Sequence, residues 1–395
     1  MTTRPVAKEP FEHRLKVGIV VHRFPPYLGG CEFYAFKLAE GLSRAGHEVS
    51  VYTTKHPARP EYPFKVRSFV NWNPPGSGYF FWPAFIQPSV LAEVRELDIL
   101  HSFDFSMYAT FASVLVGKIC GVPVVVQCSY HPPEAMPHPW LKRAYDKSFG
   151  KFILSEANAL VIQTEVELAA VKYNVGVPQS NKVLVIPPGP IIDRTEPQQG
   201  FRDLHGLAGK FVLLYVGRID SHKGIEHLLE SVKNLAESHI PNLALVIVGE
   251  SEAWYKWPRK VSALVDSLKN RIVFTGRLPE ACVAAAYAES DLLVVPSKYE
   301  SFGFTIIEAL SYGTSVVSTR VGIAPEVIVD GSNGCLYDFG DVEGLKGAIL
   351  QMAQHNGSVR QNAVDSVKEF RWERTLQRVT DLYCSLLAPS RSASI

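Results

Sequence analysis

The chain lacks the marks of several protein classes. Its 395 residues carry 40 Lys and Arg against 39 Asp and Glu, so the formal charge is 40 − 39 = +1 and the global positive field of an obligate nucleic-acid binder is missing. The longest uncharged run, Ser68 to Ala92, is interrupted by Pro, Gly, Asn and Gln, so no apolar run reaches the ~18 residues a membrane span needs. The opening MTTRPVAKEPFEHRLKVGIVVHRF has too short an apolar run for a signal peptide. The expectation is a cytoplasmic chain. Six cysteines occur (Cys31, Cys120, Cys128, Cys282, Cys335, Cys384), none in a Cys-x-x-Cys pair, which reads as reduced, buried thiols rather than zinc ligands or disulfides. Solenoid repeats, low-complexity segments, an evident Asp-x-Asp pair and a Gly-x-Gly-x-x-Gly fingerprint are all missing as well.

What is present is an ordinary globular composition, 47% hydrophobic and 20% charged, in a chain long enough for two domains at roughly 150 residues each. Short β-branched runs alternate with longer amphipathic stretches, the pattern of βαβ units and parallel sheets, and the pattern occurs twice. Strands are expected at residues 16–22, 48–54, 98–103, 122–128, 159–164 and 183–187, then at 211–218, 243–249, 272–275, 292–296 and 315–319. The fold class is therefore α/β, with two doubly wound, Rossmann-like domains whose strand carboxyl ends face a cleft. The expected boundaries are a tail at 1–14, a first domain at 15–192, a polar linker at 193–210, a second domain at 211–370 and a final helix at 371–388 that packs on either domain.

Three segments carry chemistry. The first strand runs into His22, Arg23 and then Gly29-Gly30 before a helix, where missing Cβ atoms and free helix-start N–H groups suit an anion; a tight turn is the plain alternative. The first strand of the second half ends in Gly217-Arg218 with Lys223-Gly224 following, two cations able to converge on one diphosphate or to sit as a solvated basic turn. The third, Pro296-Ser297-Lys298-Tyr299-Glu300-Ser301-Phe302-Gly303-Phe304, leads from a strand into a helix. It places Glu300 before the helix, offers the helix-start amides of Phe302, Gly303 and Phe304 to a phosphate, and sets Glu308 in an apolar run, where a vicinal diol would partner its charge. Glu300 alone is also explained by charge complementarity at a helix start.

Together these segments, in this order and with seven residues between Glu300 and Glu308, resemble the retaining glycosyltransferases of family 4, which have the GT-B fold. The resemblance covers nearly the whole chain. It implies transfer of a hexosyl group from a UDP- or GDP-sugar to a hydroxyl acceptor, with retention, no metal and no cofactor. The acceptor class it implies is a glycan or lipid-linked glycan in cell-surface glycoconjugate or polysaccharide synthesis. Carried over by position, Arg218 and Lys223 hold the diphosphate and Gly29 and Gly30 approach it. Gly217 is part of the donor-binding set, Glu308 binds the ribose and Glu300 faces the sugar, with Phe302, Gly303 and Phe304 supplying amides. Base and sugar selectivity is expected near Arg277 and Leu278. The family's donor-sugar histidine follows the fourth strand of its first domain; here Cys128-Ser129-Tyr130-His131 puts either His131 or Ser129 in that place. His101 reads as structural.

Acceptor recognition is expected from the aromatic run Tyr79 to Phe85 and the segment after His131. As a helix, Leu141, Tyr145, Phe149 and Phe152 fall within about 80° of one another and Lys142, Arg143, Lys147 and Lys151 spread over the rest. Such a face either docks on an anionic membrane or packs its aromatics inward. A sugar-nucleotide epimerase, a phosphorylase and a catalytically silent partner subunit are the rival functions.

Overall fold

The computed structural model describes residues 14–26, 29–55, 60–70, 83–136, 138–177, 179, 182–192, 195–219, 221–250, 259–354 and 359–388. The chain divides into two units, one formed by residues up to Ile186 together with Trp372 onward and the other by Pro187–Arg371. Each is a parallel sheet with helices between its strands.

The first sheet comprises β1 (Lys16–Val20), β2 (Glu48–Thr54), β3 (Lys65–Phe69), β4 (Ile99–Phe103), β5 (Val124–Gln127), β6 (Ala159–Ile162) and β7 (Val183–Val185), in the order β3-β2-β1-β4-β5-β6-β7. Val17 of β1 lies between Val49 of β2 and Ile99 of β4, so construction reverses direction at the β1–β4 boundary. The second comprises β8 (Phe211–Val216), β9 (Leu243–Val248), β10 (Ile272–Gly276), β11 (Leu292–Val295), β12 (Ser315–Thr319) and β13 (Gly334–Tyr337), in the order β10-β9-β8-β11-β12-β13. Its reversal falls between β8 and β11. The central strands FVLLYV and LALVIV are apolar almost throughout because helices cover both faces of a parallel sheet. Reversal points matter because the crossovers leave to opposite sides there, opening a crevice beyond the strand carboxyl ends.

Two edge strands, β3 and β13, have no counterpart in the sequence reading. β3 (KVRSF) is polar at three of five positions, with Lys65 and Arg67 paired to Glu93. β13 is four residues long and opens on Gly334, where a Cβ would overlap the carbonyl oxygen of Val316. Neither presents the apolar alternation that marks a buried strand.

The expected linker is also different: residues 195–210 are packed into the second unit. Ile192 and Phe201 are buried in its core. Glu289 accepts the N–H groups of Gly200, Phe201 and Arg202, while the Arg202 guanidinium reaches the carbonyls of Glu289 and Lys210 and the carboxylate of Asp291. The polar side chains that looked solvent-bound are bound to each other.

The last helix, Trp372–Leu387, belongs to the first unit. Val379, Leu382 and Tyr383 share a core with Tyr34, Leu38 and Leu42, the Trp372 ring meets Tyr34 edge-on at 5.2 Å, and the Tyr383 hydroxyl lies 2.6 Å from Nδ1 of His101. His101 is fully buried, and burial holds its imidazole down to about 3. Of the six free thiols, Cys128 and Cys335 are buried, Cys31, Cys120 and Cys282 are half-buried and Cys384 is exposed, so burial holds for only part of the set.

Candidate functional site

In the second unit the loops after β8 and β11 meet at the reversal point. The first turns through Gly217, Arg218 and the short helical turn Ser221–Lys223 to Gly224, and the carbonyl of His222 accepts the N–H of Lys298 in the second. Gly224 has a left-handed φ of 66°, and a Cβ there would overlap the Pro296 carbonyl, so no other residue lets the two loops close to this distance. Gly217 and Gly249 touch in the same way at the ends of β8 and β9. Held thus, Lys223 Nζ lies 2.6 Å from Glu300 Oε1, which also accepts the Ser297 hydroxyl at 2.7 Å. The Ser297 carbonyl in turn accepts Thr319 Oγ1 at 2.6 Å. The side chains of Lys223 and Glu300 are 21% and 17% exposed, so the pair is sheltered yet reachable. Arg218 is exposed on the same loop, and its carbonyl accepts the Tyr215 hydroxyl.

The helix after this loop runs Phe304–Ser311, capped by Gly303 at φ 91° with no side-chain cap. Phe302 is buried beneath, its ring edge-on to Phe304 at 5.0 Å. Arg277 is exposed and Leu278 half-buried just past β10, two strands from β8 and therefore ~10 Å to one side.

Glu308 does not have the surroundings expected of it. It is 3% exposed; Oε1 accepts the N–H groups of Ile191 and Ile192 at 3.0 and 3.3 Å, and Oε2 accepts the Tyr287 hydroxyl at 2.7 Å. Burial pushes its carboxyl up, against the pull of these three donors. Three donors from the chain itself already partner its charge.

In the first unit Gly29 caps the helix Gly30–Arg44 in extended conformation, and the Glu32 carboxylate folds back against it, where a Cβ would stand. His22 is buried, and burial, with Arg23 adding to it, holds its imidazole down to about 3. Phe24 packs edge-on to Tyr62 and Phe64 and so anchors this loop. Beyond β5, Ser129 is buried with a left-handed φ of 42° and accepts Gln163 Nε2 at 2.8 Å. His131 is half-buried two residues on. The aromatic run from Tyr79 to Trp82 lies outside the described residues, and Phe85 is fully buried.

The helical face after Pro139 is broken by a π-turn at Asp146–Gly150, so its 100° bookkeeping fails. Lys142, expected among the exposed cations, is fully buried against Asp146, while Trp140 and Phe149 are exposed. Phe149 and Phe152 still meet Phe111, at 4.5 and 5.3 Å.

Sequence reasoning missed Asp104, Glu167, Ser297 and Tyr287. Asp104 follows β4 beside the β1–β4 reversal point in a left-handed conformation (φ 71°), and burial pushes its carboxyl up to about 7 against the Ser106 N–H and the Lys142 charge. Glu167 is pushed by burial up to about 8, against N–H donations from Gln163 and Tyr130. Its legible signal was Thr164-Glu165-Val166-Glu167, a capping-box spacing.

Two family models match, Glycosyltransferase Family 4 over residues 28–194 and Glycosyl transferases group 1 over residues 200–369. The chain belongs to the family-4 type of glycosyltransferase, with the GT-B fold of two Rossmann-like domains. It is 28% identical over 342 residues to an uncharacterized glycosyltransferase of Methanocaldococcus jannaschii, covering 81% of this chain and 84% of that one. It is 27% identical over 392 residues to a D-inositol 3-phosphate glycosyltransferase of Actinosynnema mirum, covering 90% and 92%. The crystal structure of HepE from Anabaena in complex with UDP superposes with a TM-score of 0.78 at 19% identity, over 94% of this chain and all of that one.

Removing the Glu308 carboxyl group leaves three donors, two of them buried, without an acceptor. Glu308→Ala is expected to lower the stability of the second unit by about 3–5 kcal/mol, read by urea unfolding. A variant as stable as the parent would contradict the bonds described.

A pH dependence follows from Asp104 and Glu167. Unfolded, both ionise near pH 4, as ordinary carboxyls do. Folded, they keep their protons to about 7 and about 8, so their stabilisation is full below pH 4 and is lost as pH rises through those values. His22 and His101 act oppositely, and only below 6.5. The unfolding midpoint is expected to fall between about pH 6.5 and 8.5, with Asp104→Asn flattening the lower part of that slope; a flat profile in the parent would refute it.

Proposed function

We propose that the protein is a retaining, metal-independent hexosyltransferase whose donor is a UDP- or GDP-sugar and whose acceptor is a hydroxyl of a glycan or lipid-linked glycan in cell-surface glycoconjugate or polysaccharide synthesis. The observation that carries this reading is the Lys223–Glu300 pair at the reversal point of the second sheet, with Arg218 on the same loop. Lys223 has three donors and Glu300 takes one, leaving two for a diphosphate. Arg218 adds a planar fork, and the start of the helix at Gly303 and Phe304 adds main-chain N–H groups. Among structural relatives, HepE of Anabaena was crystallised with UDP and with UDP-glucose, which supports a nucleotide-sugar donor.

The chemistry is a front-face displacement. The bond from the anomeric carbon to the departing phosphate oxygen breaks, the acceptor oxygen bonds the same face, and the acceptor proton passes to the leaving phosphate. Arg218 and Lys223 stabilise the charge that develops on that phosphate, which is the work a divalent metal does elsewhere. Glu300 turns Oε2 to the sugar, its Oε1 being occupied by Ser297 and Lys223. Glu308 keeps one acceptor position, on Oε2, for a ribose hydroxyl. Arg277 and Leu278 address the base. From the first unit, Gly29 and Gly30 serve the diphosphate and His131 serves the donor sugar; Ser129 is spoken for by Gln163, which favours the histidine.

A panel of UDP, GDP, ADP and their sugars, read by thermal shift, is expected to single out one nucleoside. Lys223→Ala should abolish that shift and slow transfer at least 100-fold while folding survives. Full activity in Lys223→Ala, or no shift with any nucleotide, would sink the assignment.

The exposed Trp140 and Phe149, flanked by the exposed Lys147 and Lys151, favour an anionic membrane as the surface from which the acceptor is taken. Flotation with vesicles containing acidic lipid should show binding that added salt reverses. Absence of binding at low salt would remove the membrane from the proposal.

A further inference from the structure

Three loops at the carboxyl edge of the first sheet are locked together by groups that the transfer chemistry leaves idle. The lock centres on Tyr130, fully buried and immediately before His131. Its N–H donates to Glu167 Oε1 at 2.7 Å and its hydroxyl to Asp146 Oδ2 at 2.8 Å. The Lys142 ammonium sits over its ring at 4.1 Å, and Phe105, from the loop after β4, meets it edge-on at 5.8 Å. The residue is held at its main chain, its face, its edge and its tip.

Glu167 stands in the first turn of the helix Glu165–Asn174, where Thr164 caps it by accepting its N–H at 3.0 Å. In an ordinary capping box such a glutamate returns to the capping residue's own N–H. Here it reaches past Thr164, so that Oε2 accepts the N–H of Gln163 at 2.6 Å and Oε1 accepts that of Tyr130, 37 residues earlier in the chain. The arrangement is costly. A carboxyl group is buried, and Ser129 is held in a left-handed conformation that a non-glycine residue keeps only where its neighbours over-determine it. Both costs fall at one strand end, and the next side chain to emerge into reach of solvent is His131.

We propose that Glu167 is a positioning residue for His131: by accepting the Tyr130 N–H it fixes the direction in which the chain leaves β5, and hence where the imidazole stands. The inference rests on the reading of His131 as the donor-sugar residue. Lys142 and Asp146 are the second support, acting on the Tyr130 ring and hydroxyl. Displacing a reacting geometry by ~1 Å is enough to cost about 100-fold in rate, so an anchor of this kind registers in turnover.

The test is Glu167→Gln, equal in size but with one acceptor oxygen, which sets an amide NH2 against one of the two N–H groups. Release of UDP from UDP-glucose, or of GDP from GDP-mannose, is measured for Glu167→Gln, His131→Ala and the double variant, with amide hydrogen exchange followed at Tyr130 and Gln163. Expected are a kcat at least tenfold down in Glu167→Gln with KM within twofold, faster exchange at both amides, and a double variant no slower than His131→Ala alone. Multiplicative losses in the double variant, unchanged exchange, or parental kcat in Glu167→Gln while His131→Ala is slow would each overturn the proposal alone. Parental turnover in His131→Ala, or none by the parent protein with either nucleotide sugar, would overturn the donor-sugar reading and the proposal with it. If Glu167→Gln does not fold, Tyr130→Phe keeps the ring on Lys142 and loses only the bond to Asp146. It should show the same pattern, with a smaller fall, and additivity with His131→Ala would again refute the coupling.

Discussion

A carboxylate that accepts main-chain N–H groups from a remote segment is the interaction on which both units depend. Amides that leave a parallel sheet beyond its strand ends lose their ladder partners and must find others. Glu167 takes those of Tyr130 and Gln163, Glu308 those of Ile191 and Ile192, and Glu289 those of Gly200, Phe201 and Arg202. A carboxyl group offers two oxygens with several acceptor positions, so one helical side chain can take two or three amides at once and hold a whole loop.

Glu300 shows the contrast. It lies in a loop, is partly exposed, and spends one oxygen on Ser297 and Lys223, whereas Glu308 is buried, with Oε1 taking two amides and Oε2 the Tyr287 hydroxyl. Two glutamates in one motif therefore divide the work between presenting charge and organising backbone. The division follows from depth along one short segment, since the helix carries Glu308 inward among Ile306, Ile307 and Leu310, all buried.

Most of the architecture was legible in the sequence because a parallel strand covered on both faces must be apolar throughout, as β8 and β9 are. The edge strands β3 and β13 were not, since an edge need satisfy only one side and tolerates Lys65, Arg67 and Gly334. At the site, Lys223, Gly224 and Glu300 were visible as charges and a glycine at a strand end, and the structure adds that they touch. The partners of Lys142 and Glu308 were missed for one physical reason. Sequence shows that a charge needs a partner but not whether Asp146 or Tyr287 will fold against it. Asp104 and Glu167 were passed over because acidic residues beside a loop ordinarily face water, and only the three-dimensional convergence of β4, β5 and β6 buries them.

The membership of Trp372–Leu387 in the first unit bears on how the protein is made. A ribosome delivers every residue of Pro187–Arg371 before it delivers this helix, so the second unit is complete while the first still lacks its cover over Tyr34, Leu38 and His101. Domains generally fold as they emerge, N-terminal first. In this chain the earliest sheet to appear is the last to be closed, and its uncovered apolar face must wait out the synthesis of the whole second unit.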